Sequence, residues 1–246
     1  MTASVLILGA GGLGCPAALA LGAAGVVRLG VCDDDRVDAT NLHRQVLFTD
    51  GDVGAPKVDA FARALIRRHP RMTVDRHPVR FDATNAAALL GGYDVIVDGT
   101  DNFAAKFLAN DAAVLAGKPL VHAAAVAWGG QLMTIPAHGR PCYRCLFEEP
   151  PAAGVGPSCA EAGVLGPVPG VLGALAGVEA ARLARGETPA FPGRLLQYDS
   201  RAMSVRTVRF NPNPLCSVCA PGARIRALSP AEYGPEGCTP EGCISP

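Results

Sequence analysis

Residues 4–14 read SVLILGAGGLG, and this stretch decides the fold. A short apolar run that ends in glycines is typical of a buried parallel strand. Gly9, Gly11 and Gly14 fit the GxGxxG pattern, in which a tight turn brings backbone N–H groups to a phosphate at the start of a helix. The stretch therefore predicts the first strand, turn and helix of a nucleotide-binding α/β domain.

Strand and helix patterns alternate on the C-terminal side of that stretch. Helices are predicted over residues 16–24, 56–69, Phe103–Leu115 and 171–184. Strands are predicted over residues 26–32, 73–81, 93–98, a pair within 120–135, Arg194–Asp199 and 203–209. Such alternation indicates helices on both faces of one sheet. We therefore predict an α/β fold with a Rossmann-like, doubly wound, mostly parallel sheet and antiparallel C-terminal strands.

The composition of the chain changes after residue 135. Residues 148–170 are dense in Gly, Pro and Ala and predict a long crossing loop. Residues 220–246 contain five prolines and little periodicity, which predicts a loosely ordered tail. The expected domain spans residues 1–219, with a nucleotide-binding half over 1–135 and a C-terminal half over 136–219 that begins with the crossing loop.

Charge and hydropathy argue against two classes of partner. Lys plus Arg and Asp plus Glu both number 22, so the chain has no basic excess for nucleic acid. The uncharged residues 2–27 are rich in glycine and follow no basic residue, unlike a spanning helix or a signal peptide. We expect a cytoplasmic protein that binds neither membrane nor nucleic acid.

Charged residues near the ends of strands indicate which nucleotide binds. Asp33 lies 19 residues past Gly14, where a ribose-binding carboxylate belongs, but this fits NAD as well as ATP, and a glycine turn without ligand is a third interpretation. Arg44 and Lys57 can neutralise a triphosphate, and Asp101 can hold Mg²⁺. Taken singly, Arg44 or Lys57 is better explained as a solvated surface charge, and Asp101 can be a plain helix cap. Together they favour ATP.

Nine cysteines are an odd number, which argues against a simple disulfide framework. Four of them form two CxxC pairs, the number and pairing that a structural Zn²⁺ site needs, namely Cys142, Cys145, Cys216 and Cys219. A redox dithiol and unligated buried thiols are the alternatives.

Eight short motifs occur in one order: GAGGLG at 9–14, DDD at 33–35, NLHRQ at 41–45, APK at 55–57, TDN at 100–102, GGQ at 129–131, PCYRC at 141–145 and CAEAGV at 159–164. On these motifs the sequence closely resembles the ThiF/MoeB/HesA family, bacterial relatives of ubiquitin-activating enzymes. The resemblance implies ATP-dependent adenylation of the C-terminal Gly carboxylate of a ubiquitin-like sulfur-carrier protein ending in Gly-Gly, with release of pyrophosphate. It further implies a homodimer, sulfur transfer in thiamine, molybdopterin or related biosynthesis, and a sulfurtransferase or cysteine desulfurase as a further partner.

The resemblance also implies roles for single residues. Nucleotide binding would fall to Gly9, Gly11, Gly12, Gly14, Asp33, Asn41, Arg44, Lys57, Asp101 and Asn102. Among these, Arg44 would contact phosphate across a dimer interface, Lys57 would bind phosphate, and Asp101 would hold Mg²⁺. The four paired cysteines would together bind one zinc ion. Cys159 would be the cysteine that links covalently to the carrier in some relatives, while a small apolar anchor for its loop is the alternative role.

The sequence departs from the family pattern at one point, and other functions remain open. Family members carry a helical arm before the first strand, whereas here the strand begins at Ser4, so either the start codon lies further upstream or the site is reduced. A non-catalytic dimeric adaptor of the same fold is one alternative function. An NAD(P)-binding oxidoreductase is another, and adenylation of a different target, such as a tRNA base or a peptide carboxylate, is a third.

Overall fold

The computed structural model describes residues 2–150 and 163–233 of the 246-residue chain. Within them, eight strands form one sheet: β1 (Ser4–Leu8), β2 (Arg28–Cys32), β3 (Thr73–His77), β4 (Val95–Asp98), β5 (Leu120–Val126), β6 (Gly129–Ile135), β7 (Arg194–Asp199) and β8 (Ser204–Arg209). The helices are α1 (Gly14–Ala23), α2 (Lys57–Arg68), α3 (Ala86–Gly91), α4 (Phe103–Leu115) and α5 (Pro167–Ala184). No helix in these two segments is long and apolar enough to span a membrane.

The strands lie in the order β3-β2-β1-β4-β5-β6-β7-β8. The first five are parallel, and β6, β7 and β8 continue the sheet in antiparallel pairs. The chain leaves the β1–β2–β3 side and returns on the other side of β1 as β4. Ligands of doubly wound sheets bind at such a switch point, outside the carboxyl ends of the strands. The predicted fold class is confirmed.

The two faces of β1 face two separate cores. Val5 and Ile7 belong to the cluster that includes α1 and α5, whereas Leu6 and Leu8 belong to the cluster that includes α4. Helices α1 and α5 pack closely because α5 presents glycine to α1. A Cβ on Gly173 would collide with the Leu13 carbonyl oxygen, so a larger residue there would push the helices apart.

Several boundaries differ from those predicted. Helix α5 begins at Pro167 rather than at residue 171, because proline suits the first turn of a helix even though it reads as a loop residue. Strand β3 ends at His77, before Pro78, which cannot donate to a ladder. The short helix α3 was not predicted. It follows a turn in which Asp82 accepts hydrogen bonds from the backbone of Thr84 and Asn85.

Residues 220–233, the first part of the expected tail, pack against the domain. Ala220, Ala223 and Ile225 are buried. The Tyr233 hydroxyl donates to Asp111 Oδ2 at 2.7 Å, and Asp111 is itself paired with Arg144. Residues 220–233 therefore contact the domain, because apolar side chains spaced without regular period can still be buried when they cover an existing core.

Candidate active site

The glycine turn joins β1 to α1 at the carboxyl edge of the sheet. Gly9 has a φ of +92°, and a Cβ there would stand 2.9 Å from the Gly99 carbonyl oxygen. A Cβ on Gly14 would collide with the Gly9 carbonyl oxygen. These two glycines therefore shape the turn and its contact with the end of β4. A Cβ on Gly11 would meet only the Gln45 side chain, at an ordinary contact distance of 3.9 Å, so this part of the turn is less crowded and can face a phosphate.

Asp33 follows β2 and is tied to the glycine turn. Its Oδ2 accepts a hydrogen bond from the Ala10 N–H at 2.7 Å, and its Oδ1 accepts one from the Asp35 N–H at 2.9 Å. Burial raises the pKa of Asp33, and the positive charge of Lys57 opposes this rise. Because each carboxylate oxygen can accept more than one hydrogen bond, Asp33 retains the capacity to bind ribose hydroxyls.

Lys57 begins α2 and is turned inward. The residue is only 5% exposed, so the interpretation as a solvated surface charge is wrong. Its Nζ lies 2.6 Å from Asp35 Oδ2 and 3.8 Å from Asp33 Oδ1. The ammonium group is thus fixed beside the carboxylate that is tied to the glycine turn, and it retains donors for a phosphate.

Asn41 and Arg44 lie in a compact turn after β2. The N–H groups of Arg44 and Gln45 both donate to the Asn41 carbonyl oxygen at 3.1 Å. The Cγ atom of Arg44 lies 3.3 Å from the position that a Cβ on Gly12 would occupy in the same chain. Arg44 therefore lies against the glycine turn of its own chain, whereas the expectation was donation across a dimer interface.

Asp101 and Asn102 follow β4, on the other side of the glycine turn. The Asn102 side chain accepts from the Ala105 N–H at 2.9 Å and caps α4. Asn102, and not Asp101, is thus the helix cap. The Asp101 side chain is exposed, and no ion pair to it is found within residues 2–150 and 163–233. Its carboxylate is available to a cation.

The two CxxC pairs meet on the α4 side of the sheet. All four sulfur atoms lie within 4.8 Å of one another, with Cys142 Sγ 3.6 Å from Cys216 Sγ and Cys145 Sγ 3.4 Å from Cys219 Sγ. Zinc at about 2.3 Å from each of four tetrahedral thiolates places neighbouring sulfurs about 3.8 Å apart. The donor set and spacing therefore fit Zn²⁺. None of the four is in a disulfide.

Comparison with known proteins identifies the family. The model of the ThiF family matches residues 1–218. This chain belongs to the ThiF family. It is 47% identical over 231 residues to the sulfur carrier protein adenylyltransferase of Thermus thermophilus, a match that covers 92% of this chain and 85% of that protein.

Two further relatives are similar over the same region of this ThiF-family chain. The SAMP-activating enzyme E1 of Haloferax volcanii is 44% identical, over 95% of this chain and 86% of that one. The adenylyltransferase and sulfurtransferase MOCS3 of Anopheles gambiae is 44% identical over 92% of this chain, but the chain spans only 52% of that protein. A crystal structure of E. coli MccB with ATP aligns with a TM-score of 0.77 over 89% of this chain and 67% of that one, and at 24% identity it shows the fold alone.

Two buried features of this ThiF-family site were missed in the sequence. Gln45 is 3% exposed, and its Oε1 atom has no hydrogen-bond partner within the described residues. Its Nε2 atom lies 3.9 Å from the position of a Cβ on Gly11. Gln45 closes the NLHRQ motif, so its place in the motif was the signal that could have indicated a site residue.

The second missed feature is a set of ionisable side chains below the Asp101 turn. Asp98 is fully buried and lies 2.7 Å from His122 Nδ1 and 3.6 Å from Lys106 Nζ. Burial alone would raise the pKa of Asp98, but the charge of Lys106 and the hydrogen bond from His122 hold it well below its usual range. Burial, and next the Lys106 charge, lower the pKa of His122. The position of His122 on β5 gave no indication in the sequence that it pairs with Asp98.

Cys159 lies outside the described residues. Its role as a covalent link to the carrier remains a prediction.

Proposed function

We propose that this chain catalyses ATP-dependent adenylation of the C-terminal Gly carboxylate of a ubiquitin-like sulfur-carrier protein. The observation that carries the proposal is the glycine turn and its neighbours: Asp33 accepts a hydrogen bond from the turn and lies beside Lys57, and Arg44 Cγ approaches Gly12. The turn also contacts Gly99 and Thr100, which directly precede Asp101. This arrangement occurs in a chain 47% identical to a sulfur carrier protein adenylyltransferase. Neither an oxidoreductase nor an adaptor needs two cations and a free carboxylate around one phosphate-binding turn.

The reaction requires positioning and charge stabilisation. A carboxylate oxygen of the carrier attacks the α-phosphorus of ATP, and the bond from that phosphorus to the oxygen of the β-phosphate breaks. The products are the acyl adenylate and pyrophosphate, so no side-chain nucleophile takes part. Asp33 orients the ribose, while Lys57 and Arg44 stabilise the negative charge that develops on the phosphates.

Two metal ions complete the proposal. The exposed Asp101 carboxylate is an oxygen donor of the kind that Mg²⁺ prefers, and Mg²⁺ would neutralise part of the phosphate charge. The four paired cysteines would hold Zn²⁺, which supplies no chemistry to the reaction. Because the two pairs are separated by 70 residues, zinc would tie the segment after β8 to the loop after β6.

The finer proposal concerns the partners. We expect a homodimer and a carrier ending in Gly-Gly, with the adenylate passed to a sulfurtransferase or cysteine desulfurase in thiamine or molybdenum-cofactor biosynthesis. A relative named as both adenylyltransferase and sulfurtransferase supports sulfur transfer as the next step.

Carrier-dependent exchange of labelled pyrophosphate into ATP tests the function. Exchange should require a carrier that ends in Gly-Gly and should fail with the same carrier lacking its last glycine. Arg44→Ala, Lys57→Ala and Asp101→Ala should each lower the rate by about two orders of magnitude or more, which corresponds to about 3 kcal/mol of transition-state stabilisation. If none of the three substitutions changes the exchange rate, the site assignment is wrong. Tight binding of NAD(P) with no binding of ATP would favour the oxidoreductase.

Cys159 extends the proposal to the sulfur-transfer step. A thiolate that attacks the acyl adenylate would form a thioester to the carrier and release AMP. Cys159→Ala should then keep pyrophosphate exchange near normal while it abolishes a thiol-sensitive conjugate with the carrier. Thiocarboxylate formation at the normal rate in this variant would leave Cys159 as a structural residue.

A further inference from the structure

A compact set of buried ionisable groups lies directly beneath the turn that carries Asp101. Asp98, Lys106 and His122, called here the positioning unit, are 0%, 5% and 1% exposed. The Asp98 carboxylate pairs with the Lys106 ammonium group, so the two charges balance inside the domain. His122 completes the unit through Nδ1, while its ring lies 4.6 Å, centroid to centroid, from that of Tyr143.

The positioning unit binds every polar atom of Thr100. The Thr100 N–H and hydroxyl both donate to Asp98 Oδ1, at 2.9 Å and 2.6 Å. The Thr100 carbonyl oxygen accepts from Lys106 Nζ at 2.6 Å. This carbonyl belongs to the peptide bond that joins Thr100 to Asp101. The hydrogen bond from Lys106 therefore fixes the orientation of the peptide plane that precedes the Asp101 Cα atom.

The other side of Asp101 is fixed as well. Asn102 caps α4, the helix that carries Lys106 four residues later, and the Lys106 N–H donates to the Asn102 carbonyl oxygen at 3.2 Å. Lys106 Nζ also donates to the Ala123 carbonyl oxygen on β5 at 3.1 Å. The end of β4, the start of α4 and β5 are thus held in one arrangement around an Asp101 side chain that is itself exposed.

Stability alone gives a poor account of this arrangement. Buried ion pairs are often replaceable by apolar residues without loss of stability, because the cost of removing two charges from water offsets their attraction. Within the described residues, the further hydrogen bonds of these two side chains are made to Thr100 and to His122 and Ala123 on β5. The unit is therefore better explained by the geometry that it imposes on the turn.

We propose that Asp98, Lys106 and His122 are positioning residues that hold the Asp101 carboxylate where the phosphate-bound cation must meet it. The inference rests on the proposed function, in which Asp101 receives Mg²⁺ together with ATP. Because its members are at most 5% exposed, the unit is not placed to contact the nucleotide directly. It acts through Thr100 and reduces the freedom of the Asp101 backbone before the substrate binds.

A charge-pair cycle separates positioning from stability. Asp98→Asn and Lys106→Met each leave one buried charge without its partner and should lower the urea midpoint of unfolding. The double variant removes both charges and should recover most of that loss. Carrier-dependent pyrophosphate exchange by the double variant should nevertheless keep a kcat about 10- to 100-fold below that of the unchanged protein, the range expected for a displaced group. The Mg²⁺ concentration for half-maximal rate should rise.

A second pair of variants tests His122 without changing a charge. His122→Gln can still donate to Asp98, whereas His122→Phe cannot. At matched stability, His122→Gln should retain more activity and a lower Mg²⁺ requirement than His122→Phe. Equal losses in the two variants would contradict a role for the hydrogen bond.

Asp101→Ala is the reference variant that separates failure of the positioning unit from failure of the proposed role of Asp101. If Asp101→Ala abolishes exchange but the double variant regains kcat and Mg²⁺ dependence along with stability, the positioning unit is structural and this inference alone is overturned. If Asp101→Ala leaves exchange and Mg²⁺ dependence unchanged, the proposed role of Asp101 fails and the inference fails with it.

Discussion

Replacing Lys57 by methionine is the most direct test of the nucleotide site. The Lys57 side chain is 7% exposed, and its Nζ lies 3.8 Å from Asp33 Oδ1. At an effective dielectric constant of about 20, two unit charges at that distance attract each other by about 4 kcal/mol. Methionine keeps an unbranched apolar stem in the same space and removes the charge together with the N–H donors to Asp35, so its effect reports on polar interactions more than on packing.

Two consequences follow for the activity of Lys57→Met. The phosphates lose a cation, so pyrophosphate exchange should fall by about two orders of magnitude or more, or about 3 kcal/mol. Asp33 also loses the charge that opposes the effect of burial on its pKa, so this pKa should rise further. Because Asp33 accepts ribose hydroxyls best as a carboxylate, ATP binding by the variant should weaken as the pH falls, and should begin to do so at a higher pH than in the unchanged protein.

The measurement is ATP affinity by calorimetry across a pH series, together with exchange rates at saturating carrier. Lys118→Met is the matched control. Lys118 precedes β5 and lies at the amino ends of the parallel strands, whereas Asp101 follows β4 at their carboxyl ends. Lys118→Met should leave both quantities unchanged. Exchange by Lys57→Met within about threefold of the unchanged protein, a difference of less than about 1 kcal/mol, would refute the placement of Lys57 at the phosphates.

Three further predictions concern the metal, the buried ion pair and the assembly. Freshly prepared protein should contain about one zinc per chain, and Cys216→Ala should lose the metal and much of its stability, because binding of structural zinc is coupled to folding. Metal analysis and thermal unfolding measure the two effects. Clearly sub-stoichiometric zinc in the unchanged protein would count against the site. Arg144→Met should lower the free energy of unfolding in urea by about 3–5 kcal/mol, since it leaves Asp111 charged and fully buried, while adding Asp111→Asn should recover part of that loss. A mixture of Arg44→Ala and Asp101→Ala protein should show no recovery of exchange after subunit exchange, because Arg44 Cγ lies against the glycine turn of its own chain and Asp101 follows the Thr100 that contacts this turn. Recovery would instead show that Arg44 is donated between subunits.

Local patterns determined the nucleotide-binding half of the fold. An apolar run, a glycine turn and an amphipathic helix are set by neighbouring residues, so β1, the Gly9–Gly14 turn and α2 could be predicted from spacing alone. The bounds of α4 and β7 were also predicted correctly, because glycine, proline and capping residues mark them. Parallel strands bring their carboxyl ends to one edge, which is why Asp33 and Asp101 could be assigned to one site.

Only the tertiary structure decided what those residues contact. Burial of Lys57, the approach of Arg44 to its own chain's turn and the pairing of Lys106 with Asp98 depend on residues brought together from separate elements. Periodicity in a sequence reports which face of an element is apolar, and it carries no information about which polar group on another element will lie opposite. The two cysteine pairs were visible as motifs, but their approach to within 4.8 Å across 70 intervening residues is a property of the folded sheet.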